Sequence, residues 1–166
     1  LGTNAIASLT TSVITNITDL TKFANLSTSQ IQALTISQVK SLTSTQLGAF
    51  TVDQISSLSI EDVKVFNSDQ VRALSADQLA GLSTSQIQAL SSANVSQLKT
   101  EQLNALNTAQ IKAMTSLQIK ALTSTQLNVL VTEDLQAIDA SDIAAIDAAT
   151  IGALTTDQLT SLTTAQ

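Results

Sequence analysis

The sequence predicts an all-α protein, a tightly wound superhelical solenoid with one very short, capped helix in each eight-residue repeat. Three observations predict this fold. The sequence repeats with a period of eight, each repeat opens with a helix-capping side chain, and the charged residues are sorted along the repeat. A period this short indicates a repeat architecture, in which each unit buries its apolar face against its neighbours.

The repeats, here called octads with positions 1 to 8, cover almost the whole chain. Residues 19–162 divide into 18 consecutive octads. Two more octads, residues 2–9 and 10–17, precede them, and Thr18 is a one-residue insertion. Residues 163–166 are half of another octad. We therefore predict a single domain over residues 1–166 with about twenty repeats, and we expect it to be a fragment of a longer array.

Five positions define the octad. Positions 5 and 8 are apolar in all 18 octads of the regular region. Position 1 is Ser, Thr, Asp or Asn in 16 of them, with Lys99 and Val131 as exceptions, and position 4 is Gln in 12. Position 7 is Ala, Ser or Gly in 14, which allows neighbouring segments to approach closely.

This pattern is a helix-start signal. In the octad that begins at Ser27, the hydroxyl of Ser27 can accept hydrogen bonds from the first turn as an N-cap. Gln30, three residues later, can reach back to the Ser27 N–H in a capping box. Leu26 and Ile31, which flank this pair, have the spacing of a hydrophobic staple. The signal recurs every eight residues, so it predicts one helix per octad.

Charge placement supports the same interpretation. All 13 acidic residues occupy position 1, 3 or 4, in the first half of the proposed helix. Five of the seven basic residues, Lys40, Lys64, Arg72, Lys112 and Lys120, occupy position 6, near its end. The helix dipole favours this separation.

Two other folds fit less well. A continuous helix advances about 100° per residue, so an octad repeat would rotate its apolar stripe by ~80° per unit around the rod. A β-solenoid, kept as the alternative, would place positions 5 and 8 on opposite faces of a strand. The sequence also lacks the Pro and clustered Gly that turns between such strands use.

Helices of about six residues are unstable alone, so neighbouring repeats must stabilise them. We expect positions 5 and 8 to form the core and position 6 to face solvent. Gln at position 4 has two possible roles, capping and a ladder between successive turns, of which capping is the simpler. The number of helices per turn and the handedness stay open.

The amino-acid composition argues against catalysis and against metal or cofactor binding. The chain has no Cys and no His, and therefore has neither a thiolate nucleophile nor the commonest general base and metal ligand. We predict no enzyme activity, no catalytic residues, no cofactor and no metal site. Asp134, Asp139, Asp142 and Asp147 lie close together in the sequence, but they occupy capping and position-4 sites. Whether they bind a cation stays open.

Three stretches carry a family resemblance. Residues 42–47 and 122–127 both read Leu-Thr-Ser-Thr-Gln-Leu, and residues 154–159 read Leu-Thr-Thr-Asp-Gln-Leu. They resemble the Leu-Thr-x-x-Gln-Ile/Leu-x-Ala-Leu arrays of very large bacterial proteins labelled adhesin-like or "heme utilization or adhesion". The resemblance implies an extracellular or cell-surface array. Haem binding does not follow, because this chain has no His, Cys or Tyr and only Met114 as an axial ligand.

The function we predict is structural. The chain would act as a non-enzymatic spacer or stalk in a large bacterial secreted or surface protein, and its partners would be neighbouring repeats of the same array. The alternative is a solenoid that binds a protein or glycan ligand. A net charge of −6 argues against nucleic-acid binding, and no apolar run is long enough to span a membrane.

Overall fold

Short helices with cap residues at their starts make up the structure of this chain, a computed structural model that describes residues 2–166. The described residues form twenty α-helices of four to six residues and no strand, so the all-α prediction is confirmed over the β-solenoid alternative. The predicted domain also includes residue 1, which lies outside the described residues. In chain order, the helices are α1 Thr3–Ala7, α2 Thr11–Thr15, α3 Thr21–Ala24, α4 Thr28–Gln32, α5 Ile36–Ser41, α6 Ser44–Gly48, α7 Val52–Ser56, α8 Ile60–Lys64, α9 Ser68–Ala73, α10 Ala76–Ala80, α11 Thr84–Ala89, α12 Ser92–Ser96, α13 Thr100–Asn104, α14 Thr108–Ala113, α15 Ser116–Lys120, α16 Ser124–Val129, α17 Thr132–Ala137, α18 Ala140–Ile143, α19 Ala148–Ile151 and α20 Thr156–Ser161.

Each helix corresponds to one octad, and position 1 is its N-cap in all but one case. The backbone of the cap residue is extended, as at Thr35, where φ is −77° and ψ is 155°. Extended backbone at positions 8 and 1, as at Leu42 and Thr43, separates successive helices without a glycine, and the described residues contain no positive φ. This explains how a chain with no Pro and few Gly can break its helices so often.

The exception is α3, which corrects the expectation that Asp19 directly precedes a helix. Leu20 is the residue before α3, and it has helical angles. The carboxylate of Asp19 accepts from the Thr21 backbone N–H at 3.2 Å and from the Thr21 hydroxyl at 2.6 Å. Two sequence features accompany this later start of α3. Thr18 is inserted just before the octad, and Lys22 takes the place of Gln at position 4.

The apolar core follows positions 5 and 8 of successive octads, as the sequence predicts. Position-5 side chains such as Leu47, Ile55 and Leu103 are fully buried. Position 6 is mostly exposed, also as predicted. The rings of Phe23 and Phe50, three octads apart, pack with their centroids 5.9 Å apart. The core is thus one continuous thread of aliphatic side chains with few aromatic ones.

The winding follows from two kinds of contact. Helix packing joins each helix to the third one along the chain, for example α6 to α9 and α14 to α17. Side-chain hydrogen bonds reach one octad further, because position 4 of one octad contacts the fourth octad before it. A superhelical turn therefore takes between three and four octads, a number that the sequence left open.

Candidate functional site

The recurring polar feature is the glutamine at position 4, which is buried in nearly every octad that has it. Thr35 and Gln38 show its first role. The Thr35 hydroxyl accepts from the Gln38 backbone N–H at 3.3 Å, and the side-chain oxygen Oε1 of Gln38 accepts from the Thr35 backbone N–H at 2.7 Å. These are the two reciprocal hydrogen bonds of a capping box. The amide oxygen of the side chain is thereby satisfied within its own octad.

The amide nitrogen of the same side chain makes the second contact. Gln102 Nε2 donates to the carbonyl oxygens of Val71 at 2.9 Å and Leu74 at 2.8 Å. These acceptors are positions 5 and 8 of the fourth octad before. Carbonyls at the end of a helix lack an intrahelical donor, and burial of such a group without a partner is costly. One side chain thus caps the start of its own helix and the end of a helix one turn away.

The same link recurs along the chain. Gln126 Nε2 donates to Val95 and Leu98, and Gln158 Nε2 donates to Leu127 and Leu130, at 2.8–3.0 Å. Equivalent bonds to octads four units earlier are made by Gln38, Gln46, Gln54, Gln70, Gln78, Gln86, Gln110, Gln118 and Gln166. We call this set of bonds the glutamine ladder. Each added octad extends the ladder by one link.

Shorter side chains at position 4 cannot make both contacts. Asn94 Nδ2 keeps a link to the Phe66 carbonyl at 2.8 Å, but its oxygen accepts from the Ser68 hydroxyl at 3.2 Å instead of from its own cap. Asp62 does the reverse, since its carboxylate accepts from the Ser59 N–H at 3.0 Å and donates nothing to the preceding turn. Asn and Asp are one methylene shorter than Gln, so neither makes both contacts. The amide nitrogen of Asn94 can donate and keeps the link between turns, whereas the carboxylate of Asp62 only accepts and keeps the contact with its own cap.

The ladder is interrupted over octads 131–154. Position 4 there is Asp134, Asp142 and Thr150 in succession, and none of these side chains donates to the octad four units earlier. Helices α18 and α19 have only four residues each. No capping box forms in α17, α18 or α19. This segment is therefore held mainly by its apolar packing.

The four aspartates considered for cation binding do not form one site. Asp134 is buried and its carboxylate accepts from the Thr108 hydroxyl at 2.7 Å, whereas Asp147 caps α19. Asp139 precedes α18 without a side-chain cap, and Asp142 lies in its first turn. In residues 2–166, no group of three or more acidic side chains is placed to hold a metal ion.

Two aspartates that accept hydrogen bonds at helix starts, Asp19 and Asp147, have lowered pKa values. The pKa of Asp147 is lowered by hydrogen bonds from the Thr150 hydroxyl and then the Thr150 backbone N–H, which stabilise the carboxylate. The pKa of Asp19 is lowered first by the Thr21 hydroxyl, and less by the Thr21 N–H and the charge of Lys22. Both carboxylates are fully exposed, so they tune local helix starts and do not form a reactive site.

The surface carries few features that would bind a ligand. Among the exposed large apolar side chains, Ile36, Val52 and Ile60 share position 2 of their octads, and Leu117, at position 3, is the most exposed at 72%. At the beginning of the solenoid, a depression is lined by core residues such as Ile6, Ile14 and Phe23. None of the described helices has the length and apolar character needed to cross a bilayer.

The fold and the ladder define a class of protein: an α-solenoid of octapeptide repeats in which side-chain amides join successive turns. Residues 23–60, 63–100 and 95–132 match the ALTTAQ repeat, and the chain belongs to this repeat family. The six letters correspond to octad positions 7, 8, 1, 2, 3 and 4, as in residues 153–158, which read Ala-Leu-Thr-Thr-Asp-Gln. The comparison with curated proteins gives no match.

The family repeat therefore contains the residues that build the ladder. Its Thr at position 1 and Gln at position 4 are the two members of the capping pair, and its Leu at position 8 carries a carbonyl that a later Gln binds. Sequence reasoning identified the capping partners but preferred capping over a ladder. The regular recurrence of Gln at a buried position was the available signal, because a cap alone does not require burial.

Proposed function

We propose that the chain is a non-enzymatic spacer or stalk segment in a large bacterial secreted or cell-surface protein of the adhesin-like type. The observation that supports this proposal most strongly is that octads along the chain make equivalent contacts with earlier octads. Helices pack on the third helix before them, and octads with Gln at position 4, such as those of Gln102 and Gln126, donate to the fourth octad before. Adding one octad thus adds the same increment of structure, which is what a rod of adjustable length needs.

The absence of functional side chains from the sequence supports the non-enzymatic part. General acid–base or nucleophilic catalysis needs a positioned base beside a nucleophile. The chain has no His or Cys, and its Ser and Thr at position 1 accept hydrogen bonds from helix starts. The adhesin-like context and the extracellular location rest on the resemblance of the octapeptide motif.

The experiment is an in-phase change of length. Deletion of residues 83–90 removes one octad and preserves the period, whereas deletion of residues 83–86 shifts every later octad by half a unit. We expect the first variant to unfold cooperatively and to have a smaller maximum dimension in small-angle X-ray scattering. The second variant should lose most of its stability. Equal loss of structure in both variants would contradict the modular rod.

The spacer role itself is tested in the surface-exposed host protein. The reach of a domain at the tip should increase in proportion to the number of octads, and point variants at exposed positions should leave attachment unchanged. The competing function, a solenoid that binds a protein or glycan, predicts the opposite. Loss of attachment on replacement of exposed side chains such as Leu117, with the length unchanged, would favour the binding module.

A further inference from the structure

The links that the glutamine ladder lacks near its end are consecutive, and together they take up almost one superhelical turn. Position 4 of three successive octads is Asp134, Asp142 and Thr150, and none of these side chains donates to the octad four units earlier. The last link before the gap is made by Gln126, and the first link after it by Gln158. Because a turn takes between three and four octads, one level of the rod has no glutamine link around most of its circumference.

We call this level the seam, with octads 99–122 on its N-terminal side and octads 131–154 on its C-terminal side. Within the described residues, no side-chain donor reaches the position-8 carbonyls of the N-terminal side, which belong to Leu106, Met114 and Leu122. One side-chain hydrogen bond crosses the seam in residues 2–166, from the Thr108 hydroxyl to the Asp134 carboxylate at 2.7 Å. Polar contact between the two sides is therefore confined to one point.

Apolar packing across the seam is intact. Helix α14 packs on α17, and α15 packs on α18. Leu103 on one side and Leu135 on the other are fully buried. Burial of apolar surface is non-directional, whereas a hydrogen bond fixes a distance and an angle between its two groups. The two sides of the seam thus stay attached through the core but lose the contacts that hold their relative orientation.

A single missing link does not have this effect. Asp62 also donates nothing to the preceding turn, but Gln54 and Gln70 in the octads beside it both keep their links, at 2.6 and 2.9 Å. Asn94 keeps its own link to the preceding turn. In the rest of the ladder, each turn is therefore held to the one before it by several amides, and only the seam lacks three in succession.

We propose that the seam is a flexible joint, at which residues 131–166 tilt as a unit against residues 2–122. The octad at 123–130 is the pivot, because it is linked to the turn before it through Gln126 and to the turn after it through Gln158. A few residues at an element boundary are sufficient for such a hinge motion. The inference goes beyond the spacer function and does not depend on it.

The test is the distribution of distances between two spin labels on the 166-residue chain. The chain has no Cys, so labels attach only to introduced cysteines. One pair, Glu101→Cys with Asp157→Cys, spans the seam. The matched pair, Asp69→Cys with Thr125→Cys, has the same separation of 56 residues and lies in the continuous part of the ladder. All four side chains are exposed at position 3 of their octads. Double electron–electron resonance should give a broader distribution for the first pair, and equal widths would overturn the proposal.

Restoring the links locates the joint. The triple variant Asp134→Gln, Asp142→Gln and Thr150→Gln supplies an amide at all three sites. It should narrow the distribution of the pair across the seam to the width of the matched pair, and a distribution that stays broad would overturn the proposal.

A second measurement separates bending from unfolding. The Cα chemical shifts of α17, α18 and α19 in the unaltered chain should be helical, because a joint moves folded helices relative to one another. Random-coil shifts in these helices would show that the segment unfolds instead of bending, and would also overturn the proposal.

Discussion

Gln126 donates its side-chain amide to the carbonyl oxygen of Leu98, 2.8 Å away, although the two residues are 28 positions apart in the chain. The same side chain accepts from the Thr123 N–H at 2.9 Å. A glutamine at this position therefore connects the start of its own helix to the end of a helix one superhelical turn earlier. The ladder made by these residues is the repeated polar link of the solenoid.

Substitution can test the donating nitrogen of the Gln126 side chain separately from its accepting oxygen. Gln126→Glu keeps the oxygen that caps Thr123 and replaces the nitrogen that donates to Leu98 and Val95. It should lower the free energy of unfolding by about 2–3 kcal/mol, because buried carbonyls lose their donors and face a carboxylate. Thr123→Ala, which removes only the hydroxyl cap, should cost about 1 kcal/mol. Urea unfolding measures both, and the reverse order would contradict a ladder that stabilises the stack.

Restoring a missing link should stabilise the chain. Thr150→Gln places an amide at position 4 opposite the carbonyls of Ile119 and Leu122, which no glutamine contacts in this structure. We expect a gain of about 1 kcal/mol in the free energy of unfolding, the net value of a typical hydrogen bond. Ala148→Gln, at an exposed position of the same octad, is the control and should change stability little. Equal effects of the two substitutions would argue against a specific link.

The segment 131–154 should open before the middle of the rod. It lacks glutamine at position 4 of three successive octads, and its helices α18 and α19 have only four residues each. Amide hydrogen exchange under native conditions should therefore give lower opening free energies in α17–α19 than in α13–α16. Uniform protection across both segments would show that apolar packing alone sets local stability.

Gly81 offers a test of packing between turns. A Cβ at Gly81 would lie 2.6 Å from Cγ1 of Val52, three octads earlier, whereas the Gly81 backbone has φ of −72° and suits any residue. Gly81→Ala should therefore be neutral or destabilising in the unaltered chain. In the Val52→Ala background it should be stabilising by about 0.5–1 kcal/mol, because alanine replaces glycine without the clash. A double-mutant cycle measures this coupling, and additive effects would refute the contact.

Acid should weaken α19 through Asp147. The folded-state pKa of this carboxyl is lowered by the Thr150 hydroxyl and N–H, so its contribution is present above the unfolded pKa and is lost as pH falls through the folded pKa. NMR titration of the side-chain carboxyl should give a pKa below that of an ordinary Asp. Thr150→Ala should move the pKa of Asp147 upward, because both hydrogen bonds that lower it involve Thr150 and the hydroxyl bond is lost. An Asp147 titration that is insensitive to Thr150→Ala would contradict the hydrogen bond.

Local rules in the sequence were sufficient for the helices. The capping side chains, such as Thr35, and the apolar residues at positions 5 and 8 act within one octad, so the period alone predicts where every described helix except α3 begins and which apolar residues it buries. The sorting of acids such as Asp53 and bases such as Lys40 also matches the first and last turns of the observed helices.

The hydrogen bonds between superhelical turns could not be predicted from the sequence. Residue spacing does not specify which carbonyl lies opposite Gln126, because that depends on how far the chain advances per octad in three dimensions. The winding between three and four octads per turn brings Leu98 to this glutamine, and no local signal encodes the number. The different contacts of Asp62 and Asn94, which have equal length, follow from their chemistry: the Asn94 amide donates across the turn, and the Asp62 carboxylate only accepts.

The most direct test of the central claim is the set of nuclear Overhauser contacts from the side-chain amide protons of Gln126. If the ladder is present, these protons will show contacts to the Hα atoms of Val95 and Leu98, 31 and 28 residues earlier. Contacts confined to Thr123 and the rest of its own octad would mean that the glutamine only caps its helix, and the account of the stack would be wrong.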